Sequence, residues 1–315
     1  MTEFNNRVFG CAVVKAINSN YNADFSGQPR TLPSGTVYAT DKAFKYTVKN
    51  YLKDVYSNDY VLYFKRLKSE FTPDDLSGAY ERKFATKVKD DPLEVISKNL
   101  LSCIDVRLFG STFAPKGDGI KNKNVSLHGP VQINHGVNIW KENNIYSEQI
   151  MSPFRNPGDT DSEDKQATTL GRQSRLEEGH YLHHFSINPQ NLKDIVALAA
   201  NGAQTLSDED IIKFKEAMRR GVTWYDSASK VGCENEMLVW VQLKENSKNV
   251  LPNFTSLIDL KPEKDNGKCV YDFSKLTAEL LKISSDIEFV EIYYNKQTVM
   301  VINLPNKENV TENDI

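Results

Sequence analysis

The sequence predicts an α+β protein built on an antiparallel sheet, and three observations support this. Apolar runs typical of buried strands share the chain with segments of helical periodicity. The order strand, helix, strands, helices and a closing hairpin is typical of the α+β class. The 315 residues, 39% hydrophobic and 26% charged, are enough to bury a large core. We expect a single domain over 1–315, with a ferredoxin-like core that carries large insertions.

The sequence of the first third predicts two strands and two helices around a peripheral segment. Residues 7–17 are typical of a buried opening strand, and residues 40–56 have the apolar spacing of a helix that begins at Thr40 or Asp41. Residues 59–67 predict a strand, followed by a charged, weakly periodic stretch to about residue 90. A second helix begins at Asp91-Pro92, where proline lacks only an N–H that would be unpaired anyway, and ends at Gly110.

The remainder of the chain predicts a long projecting hairpin and the rest of the core. Two extended arms surround a polar turn within residues 150–178. Ser207 and Asp210 form a capping pattern for a helix that we expect to stop at Gly221. The other expected elements are a strand at 124–133 broken at Gly129-Pro130, strands at 179–187 and 236–243, helices at 190–200, 208–220 and 274–283, a hairpin at 287–304 and a frayed polar tail at 305–315.

Composition excludes some classes and sets a condition on another. No apolar run reaches the length of a membrane span and no signal-peptide pattern is present, so we expect a cytoplasmic protein with no membrane partner. The four cysteines lie far apart, which predicts reduced structural thiols and no metal site. The net charge of −3 argues against nucleic acid unless positive charge is locally concentrated.

Positive charge is concentrated on the first predicted helix. Lysines recur there at intervals of three and four residues, which places them in one stripe about 120° from the apolar face. A solvated helix face is one interpretation of such a stripe. Single-stranded RNA is the other, because the preceding polar loop adds hydrogen-bonding groups next to the cations. The stripe is Lys42, Lys45, Lys49 and Lys53, and the loop contributes Asn18, Asn20, Asn22 and Arg30.

Catalytic and cofactor patterns are missing from the sequence. No glycine-rich loop ends in Gly-Lys-Ser or Gly-Lys-Thr, and no Gly-x-Ser-x-Gly elbow occurs. On a strand, His180 and His184 share one face and His183 takes the other, with only Glu177 and Glu178 as nearby carboxylates, so we expect no metal there. We therefore expect no cofactor and no catalytic residue. A nuclease could still use scattered residues such as Asp24, Asp41 or His128.

Four segments in order resemble a known family. They are NADFSGQPRTLPSGTVYATDKAFKYTVKNYL, DVRLFGSTF, HGPVQINHG and GHYLHHFSINP. Between Val8 and about Leu243 the chain resembles the backbone subunit of Cascade, the Cas-seven family of type I CRISPR systems, in its type I-B form. Where many relatives have Asn-Gly-Asp-Pro after the first strand, this chain has Asn22-Ala23-Asp24-Phe25.

The resemblance implies an architecture and a role. The implied fold is an RRM-like palm, with a helical fingers insertion at about 57–92 and a thumb hairpin at about 150–178. Copies of such a subunit stack head to tail on a CRISPR RNA and join other Cascade subunits. They hold the guide for pairing with a target DNA strand in antiviral defence. A subunit of this kind needs no catalytic group, so the chain is expected not to be an enzyme.

The resemblance also implies where RNA lies. Lys42, Lys45 and Lys49 would grip phosphates, and the loop with Asn18, Asn20, Asn22 and Arg30 would lie close by. His128, Gln132, Arg172 and Arg175 would sit near the RNA, and Met151 or Leu170 would be the apolar wedge under a flipped base. Changing Lys45 and Lys49 to Glu would then abolish guide retention without harming the fold.

Two other functions remain open at this stage. One is a CRISPR-associated endoribonuclease acting on precursor or target RNA, since type III relatives cut RNA with a loop aspartate. The other is a general single-stranded RNA-binding protein without CRISPR partners. Cleavage lost on changing one Asp or His would indicate the first, and heterogeneous co-purifying RNA would indicate the second.

Overall fold

The computed structural model describes residues 2–151 and 170–315, which contain seven α-helices and fourteen strands. The helices are α1 Asp41–Val55, α2 Leu76–Phe84, α3 Leu93–Leu101, α4 Ile104–Phe109, α5 Lys193–Leu198, α6 Asp208–Trp224 and α7 Ser274–Lys282. The strands are β1 Val8–Ser19, β2 Tyr38–Ala39, β3 Gly110–Phe113, β4 Val125–His128, β5 Val131–Ile133, β6 Gly136–Asn138, β7 Ile145–Met151, β8 Leu170–Ile187, β9 Cys233–Leu243, β10 Asp259–Leu260, β11 Cys269–Asp272, β12 Ile287–Tyr294, β13 Val299–Ile302 and β14 Val310–Asn313. None of the described helices is long and apolar enough to cross a membrane.

One large sheet organises the described part of the chain. Its strands run in the order β14, β12, β9, β1, β8, β6, β2, and β5 and β7 also pair with β8. All pairs in this sheet are antiparallel except β12 with β14. A smaller sheet of β10, β11 and β13 and a β3–β4 pair complete the strands. The α+β class and the predominantly antiparallel pairing are therefore as predicted.

The opening strand β1 lies in the middle of the large sheet, between β9 and β8, and both of its faces are buried. Ala12 and Val14 pack on one side of the sheet with Phe44 and Val48 of α1. Cys11, on the other side, belongs to a second core together with residues of β11 and α7. Burial on both faces explains why β1 is an almost continuous apolar run in the sequence. The large sheet thus lies between a helical layer with α1 and α6 and a second layer with the small sheet.

The predictions for the first third are correct in part. Helix α1 begins after Thr40, whose side chain accepts a hydrogen bond from the Ala43 N–H, as predicted. The predicted strand at 59–67 is wrong, since this segment contains no strand. The second predicted helix is two helices, α3 and α4, because the chain turns at Ser102 and Cys103. The buried stripe is continuous across that turn, so apolar periodicity alone could not reveal the break.

Gly221 was wrongly predicted as a helix stop. Helix α6 continues to Trp224, and Gly221 is a buried residue within it. A Cβ at Gly221 would lie 2.9 Å from the Thr47 carbonyl oxygen of α1. Glycine is needed here because the two helices approach closely. The predicted capping box is confirmed, since Ser207 and Asp210 exchange side-chain-to-backbone hydrogen bonds.

The C-terminal elements pair differently from the prediction. Strands β12 and β13 do not form a hairpin: β12 joins the large sheet beside β9, whereas β13 pairs with β11 in the small sheet. The tail was predicted to be frayed, but β14 pairs in parallel with β12. Strands whose partners come from distant parts of the chain cannot be paired from local patterns.

Candidate nucleic-acid interface

Strand β7 and the first part of β8 form the two arms of a projecting hairpin. All seven residues of β7 are exposed, and it pairs antiparallel with β8 from Ile145 opposite Leu176 to Met151 opposite Leu170. Met151 is 66% exposed. Met151 and Leu170, which were predicted as alternatives for the apolar wedge, are therefore directly opposite each other on the two strands. The connection at 152–169, which belongs to the predicted thumb, lies outside the described residues.

Asn18 joins the polar loop to this hairpin. Its carbonyl oxygen accepts a hydrogen bond of 2.7 Å from the Arg175 guanidinium, and its side-chain oxygen accepts one of 3.2 Å from the Tyr146 hydroxyl. Asn18 has φ of 46°, a left-handed conformation that asparagine tolerates better than most residues. Arg175 also lies 4.0 Å from Glu148 on the facing arm. The structure thus brings Asn18 and Arg175 together at the base of the hairpin.

The amides of Asn20 and Asn22 brace the loop. Asn20 is buried, and its amide nitrogen donates to the carbonyls of Gly27 (3.1 Å) and Ser174 (3.2 Å). The Asn22 side-chain oxygen accepts from the Thr40 N–H (2.9 Å) and the Thr40 hydroxyl (3.0 Å). These bonds tie the loop to β8 and to the start of α1, which fixes its shape.

A tight turn at the loop tip presents Phe25. Its side chain is fully exposed, whereas Asp24 holds the turn together. One carboxylate oxygen of Asp24 accepts hydrogen bonds from the Ser26 N–H (2.8 Å), the Ser26 hydroxyl (2.7 Å) and the Gln28 N–H (3.0 Å). The Ser26 hydroxyl and the other donors hold the pKa of Asp24 below its usual range. The Gln28 amide donates to the Ser147 hydroxyl of β7 (3.3 Å), so the turn rests against the hairpin.

The lysine stripe of α1 is not uniform. Lys42 is exposed, and its nitrogen lies 3.6 Å from Asp41. Lys45 is largely covered; its ammonium lies 3.3 Å from Asp41 and 5.5 Å from the centre of the Phe109 ring. Lys49 donates a 2.8 Å hydrogen bond to the Tyr63 carbonyl, and burial lowers its pKa. The stripe therefore changes from a solvent-facing cation at its start to an internal one two turns later.

The start of α1 also receives His135, which sequence reasoning did not single out although it lies in HGPVQINHG. Its imidazole is half exposed, lies 3.5 Å from the Asp41 carboxylate and packs against the Tyr38 ring at a centroid distance of 5.5 Å. Burial favours the neutral Asp41, but Lys45, Lys42 and His135 outweigh it and lower its pKa. Two lysines and a histidine thus surround one carboxylate at the exposed end of the helix, and Tyr38 packs on the histidine.

His128 is on β4, opposite Gly110 of β3, whereas Gln132 is on β5, which pairs with β8. Both side chains are exposed, and Gln132 is paired opposite Ser186. Arg172 and Arg175 are 14 and 11 residues from Ser186 on the same strand. At ~3.3 Å per residue, these separations are about 46 and 36 Å. Gln132 and Arg172 therefore cannot contact the same nucleotide.

The DVRLFG segment has an internal role. Arg107 is buried and pairs with Asp210 through two hydrogen bonds of 2.9 and 2.8 Å. The buried Asp105 carboxylate accepts the backbone N–H groups of Leu62 and Tyr63. The segment thus joins α4 to α6 and fixes the backbone at residues 62–63.

The chain is similar to known proteins over most of its length. Residues 6–280 match the family described as CRISPR-associated protein Cas7. The chain belongs to the Cas7 family. It is similar to a solved structure described as "CRISPR RNA-guided surveillance complex, pre-nicking", with a TM-score of 0.58, 13% identity, and coverage of 98% of this chain and 96% of the other. A second structure, "CRISPR RNA-guided surveillance complex", is 12% identical with a TM-score of 0.46, covering 96% and 94% of the two chains. No curated protein matches.

Family membership gives this Cas7 protein the role of a Cascade backbone subunit, as the sequence motifs predicted. The structural similarity agrees in fold over nearly the whole chain. The site residues carried over by resemblance stay predictions, and the geometry above separates those with exposed groups from those used internally.

Proposed function

We propose that this Cas7 subunit holds a guide RNA along one edge of β8, from Gln132 to the hairpin of β7 and β8. The observation that carries the proposal is the order of the exposed groups on that edge. Three strands pair with β8 one after another along this edge. β5, which carries Gln132, pairs with β8 near Ile187, and β6, which follows His135, pairs with it near Leu182. β7 pairs with β8 from Leu176 to Leu170. The groups form a series rather than a pocket, as an extended strand requires.

The middle of this series combines cations with an exposed aromatic side chain. Lys42 and His135 supply positive or hydrogen-bonding groups at the start of α1, and Phe25 stands on the braced turn beside β7. Single-stranded RNA is held by cationic tracks and by stacking of bases on aromatic rings. A net negative protein can bind RNA in this way because the local charge, not the total, meets the phosphates.

The proposed role is non-catalytic. Asp24, an aspartate of the loop after β1, engages one of its oxygens in three hydrogen bonds that shape its own turn. That use favours a structural function for Asp24. The alternative of an endoribonuclease has no comparable support from the described geometry.

The finer features of the proposal follow the family resemblance. They are a type I-B subtype, an RRM-like palm formed by the large sheet and its helices, fingers at about 57–92 and a thumb at about 150–178. Copies would assemble head to tail with other Cascade subunits and leave the guide free to pair with target DNA. Heterologous contacts of this kind generate a helical filament, and sequence specificity then comes from base pairing.

Sequencing the RNA that co-purifies with the protein from cells carrying its partner subunits tests the proposal. Repeat-spacer guides are expected, and incubation of the purified protein with labelled guide should leave the RNA intact. Heterogeneous RNA without repeats would contradict the CRISPR role. Cleavage that is lost in Asp24→Asn would instead establish the endoribonuclease.

A further inference from the structure

A compact group of titratable side chains lies on the other side of the large sheet from α1. Glu178 and His180 are on β8, and Cys269 is on β11 of the small sheet. The Glu178 oxygen lies 3.1 Å from the His180 Nε2, and the Cys269 sulfur lies 4.0 Å from the same nitrogen. All three donor atoms lie within 4.8 Å of one another. His180 and Cys269 are buried.

We propose that Glu178, His180 and Cys269 form a Zn²⁺ site that joins the large sheet to the small one. Thiolate, imidazole and carboxylate are the three ligand types that zinc takes in proteins. Bound at about 2.0–2.3 Å in a tetrahedron, such atoms lie about 3.3–3.6 Å apart. The observed separations of 3.1 and 4.0 Å differ from these values by less than 0.5 Å.

A second carboxylate orients the histidine for this task. The Glu236 oxygen lies 2.5 Å from the His180 Nδ1 and also accepts a 2.6 Å hydrogen bond from the Tyr271 hydroxyl. A carboxylate on one imidazole nitrogen leaves the other nitrogen directed at the metal, as in carboxylate–histidine–zinc arrangements. The other oxygen of Glu236 is buried and has no hydrogen-bond partner within the described residues.

The site has an entrance from solvent. Glu178 lines an open, polar cavity of about 200 Å³ together with Trp140, Glu142, Asn144 and Glu177. A cavity of this size holds several waters, which can supply a fourth ligand beside Glu178. Three carboxylates and one ammonium, that of Lys141, line the cavity, so its charge is net negative.

Lys264 is a cation that already pairs with one of the proposed ligands. The Lys264 ammonium lies 2.7 Å from the Glu178 oxygen, and the His180 imidazole lies 3.1 Å from Glu178 and 2.5 Å from Glu236. Lys264 is partly exposed and can turn to solvent. Zn²⁺ binding would displace the Lys264 ammonium from Glu178 and would release to solvent the thiol proton of Cys269 and any proton on the His180 Nε2.

Metal analysis and titration of the full chain test the proposal. One Zn²⁺ per chain is expected, and Co²⁺ used as a probe should give a sulfur-to-cobalt charge-transfer band in the near ultraviolet. Cys269→Ser should weaken Zn²⁺ binding at least tenfold and abolish that band. Cys103→Ser is the matched control, because Cys103 is an equally buried thiol in the helical layer.

A surface substitution keeps the test decisive if Cys269→Ser does not fold. Lys264→Met removes the competing ammonium and should tighten Zn²⁺ binding several-fold without affecting the core. Absence of stoichiometric zinc, a missing cobalt–sulfur band, or equal affinity in wild type and Lys264→Met would each overturn the proposal. Equal loss of binding in Cys269→Ser and Cys103→Ser would also overturn it.

Discussion

At the residue scale, the environment separates lysines that the sequence presents as equivalent. Lys42, Lys45 and Lys49 have the same helical spacing, yet only Lys42 projects fully into solvent. Lys49 is bonded to the Tyr63 carbonyl inside the protein. Changing Lys49 to Glu would place a second carboxylate near the buried Asp105, whose pKa burial already raises. The double reversal of Lys45 and Lys49 is therefore a test of stability, contrary to our sequence-based expectation.

Lys42→Gln is the cleaner test of guide binding. Loss of one phosphate contact is expected to weaken binding and to lower the slope of log affinity against log salt by about 0.7. The melting temperature should not change, because the side chain is 84% exposed. Filter binding over a range of salt concentrations measures the slope, and Lys282→Gln on α7 is the control. An unchanged slope would remove Lys42 from the proposed path.

His183 predicts a pH dependence of stability. It is fully buried against Phe44 and Tyr21, and burial lowers its pKa to about 4 despite the Asn134 carbonyl and the nearby Asp41; His135 adds to the lowering. In the unfolded chain His183 binds a proton near pH 6.5, whereas in the folded chain it stays neutral down to about pH 4. The free energy of unfolding should therefore fall by up to about 3 kcal/mol as the pH drops from about 6.5 to about 4.

Urea denaturation at several pH values measures this effect. In His183→Gln the fall over the same range should be smaller by that amount. His180, with its pKa raised to about 11 by Glu236 and Glu178 against the effect of burial, keeps a constant contribution below pH 6.5 and so does not obscure the result. An identical dependence of the unfolding free energy on pH in wild type and in His183→Gln would show that His183 does not cause the loss of stability.

At the element scale, buried polar groups fix how helices meet. Arg107 of α4 and Asp210 of α6 pair in the interior, and the same aspartate caps its own helix. Gly221 lets α6 approach α1. Each contact links elements that are far apart in the sequence. A local capping or stop pattern therefore reveals only part of what such a residue does.

Asp210→Ala should destabilise the protein by about 3–5 kcal/mol. The substitution removes the bidentate carboxylate partner of the buried Arg107 guanidinium, which keeps only the Leu101 carbonyl, the Gln204 side chain and the more distant Asp59. It also removes the capping box. Chemical denaturation measures the change. Asp208→Ala, an exposed change in the same helical turn, is the control and should cost less than about 1 kcal/mol. Similar losses in the two variants would show that the buried pair contributes little.

At the scale of the whole molecule, β8 connects the two ends of the proposed RNA path. One of its edges pairs with β1 through the core, and the other receives β5, β6 and β7 in turn. The strand therefore determines the spacing of groups that belong to the three segments β5, β6 and β7. The hairpin arms at one end and Gln132 near the other fall on a single line.

Photo-crosslinking tests this arrangement. A benzophenone amino acid at Gln132 and one at Arg172 should each crosslink to guide RNA within an assembled complex, at positions several nucleotides apart. The reason is the ~46 Å that separates the two sites along β8. A benzophenone at Leu281, exposed on α7, is the control. Crosslinks to the same nucleotide from both positions would contradict a path along the strand.

The sequence alone determined the class of the fold, the main helices and the family. Apolar periodicity and capping residues are local signals, which is why α1 and the start of α6 were predicted correctly. The four ordered motifs identified the Cas7 family, which the match over residues 6–280 confirmed. The sharing of faces among His180, His183 and His184 followed directly from the two-residue period of a strand.

Only the tertiary structure decided what those residues do. Lys49 and Arg107 turned inward because a carbonyl and a carboxylate from distant segments meet them there. β12 and β13 separated into different sheets, and Cys269 came to lie beside His180 across 89 residues of sequence. Contacts between distant segments form through packing of whole layers, which no local pattern of residues encodes. The lysine stripe and the three histidines were visible in the sequence, but their partners were not.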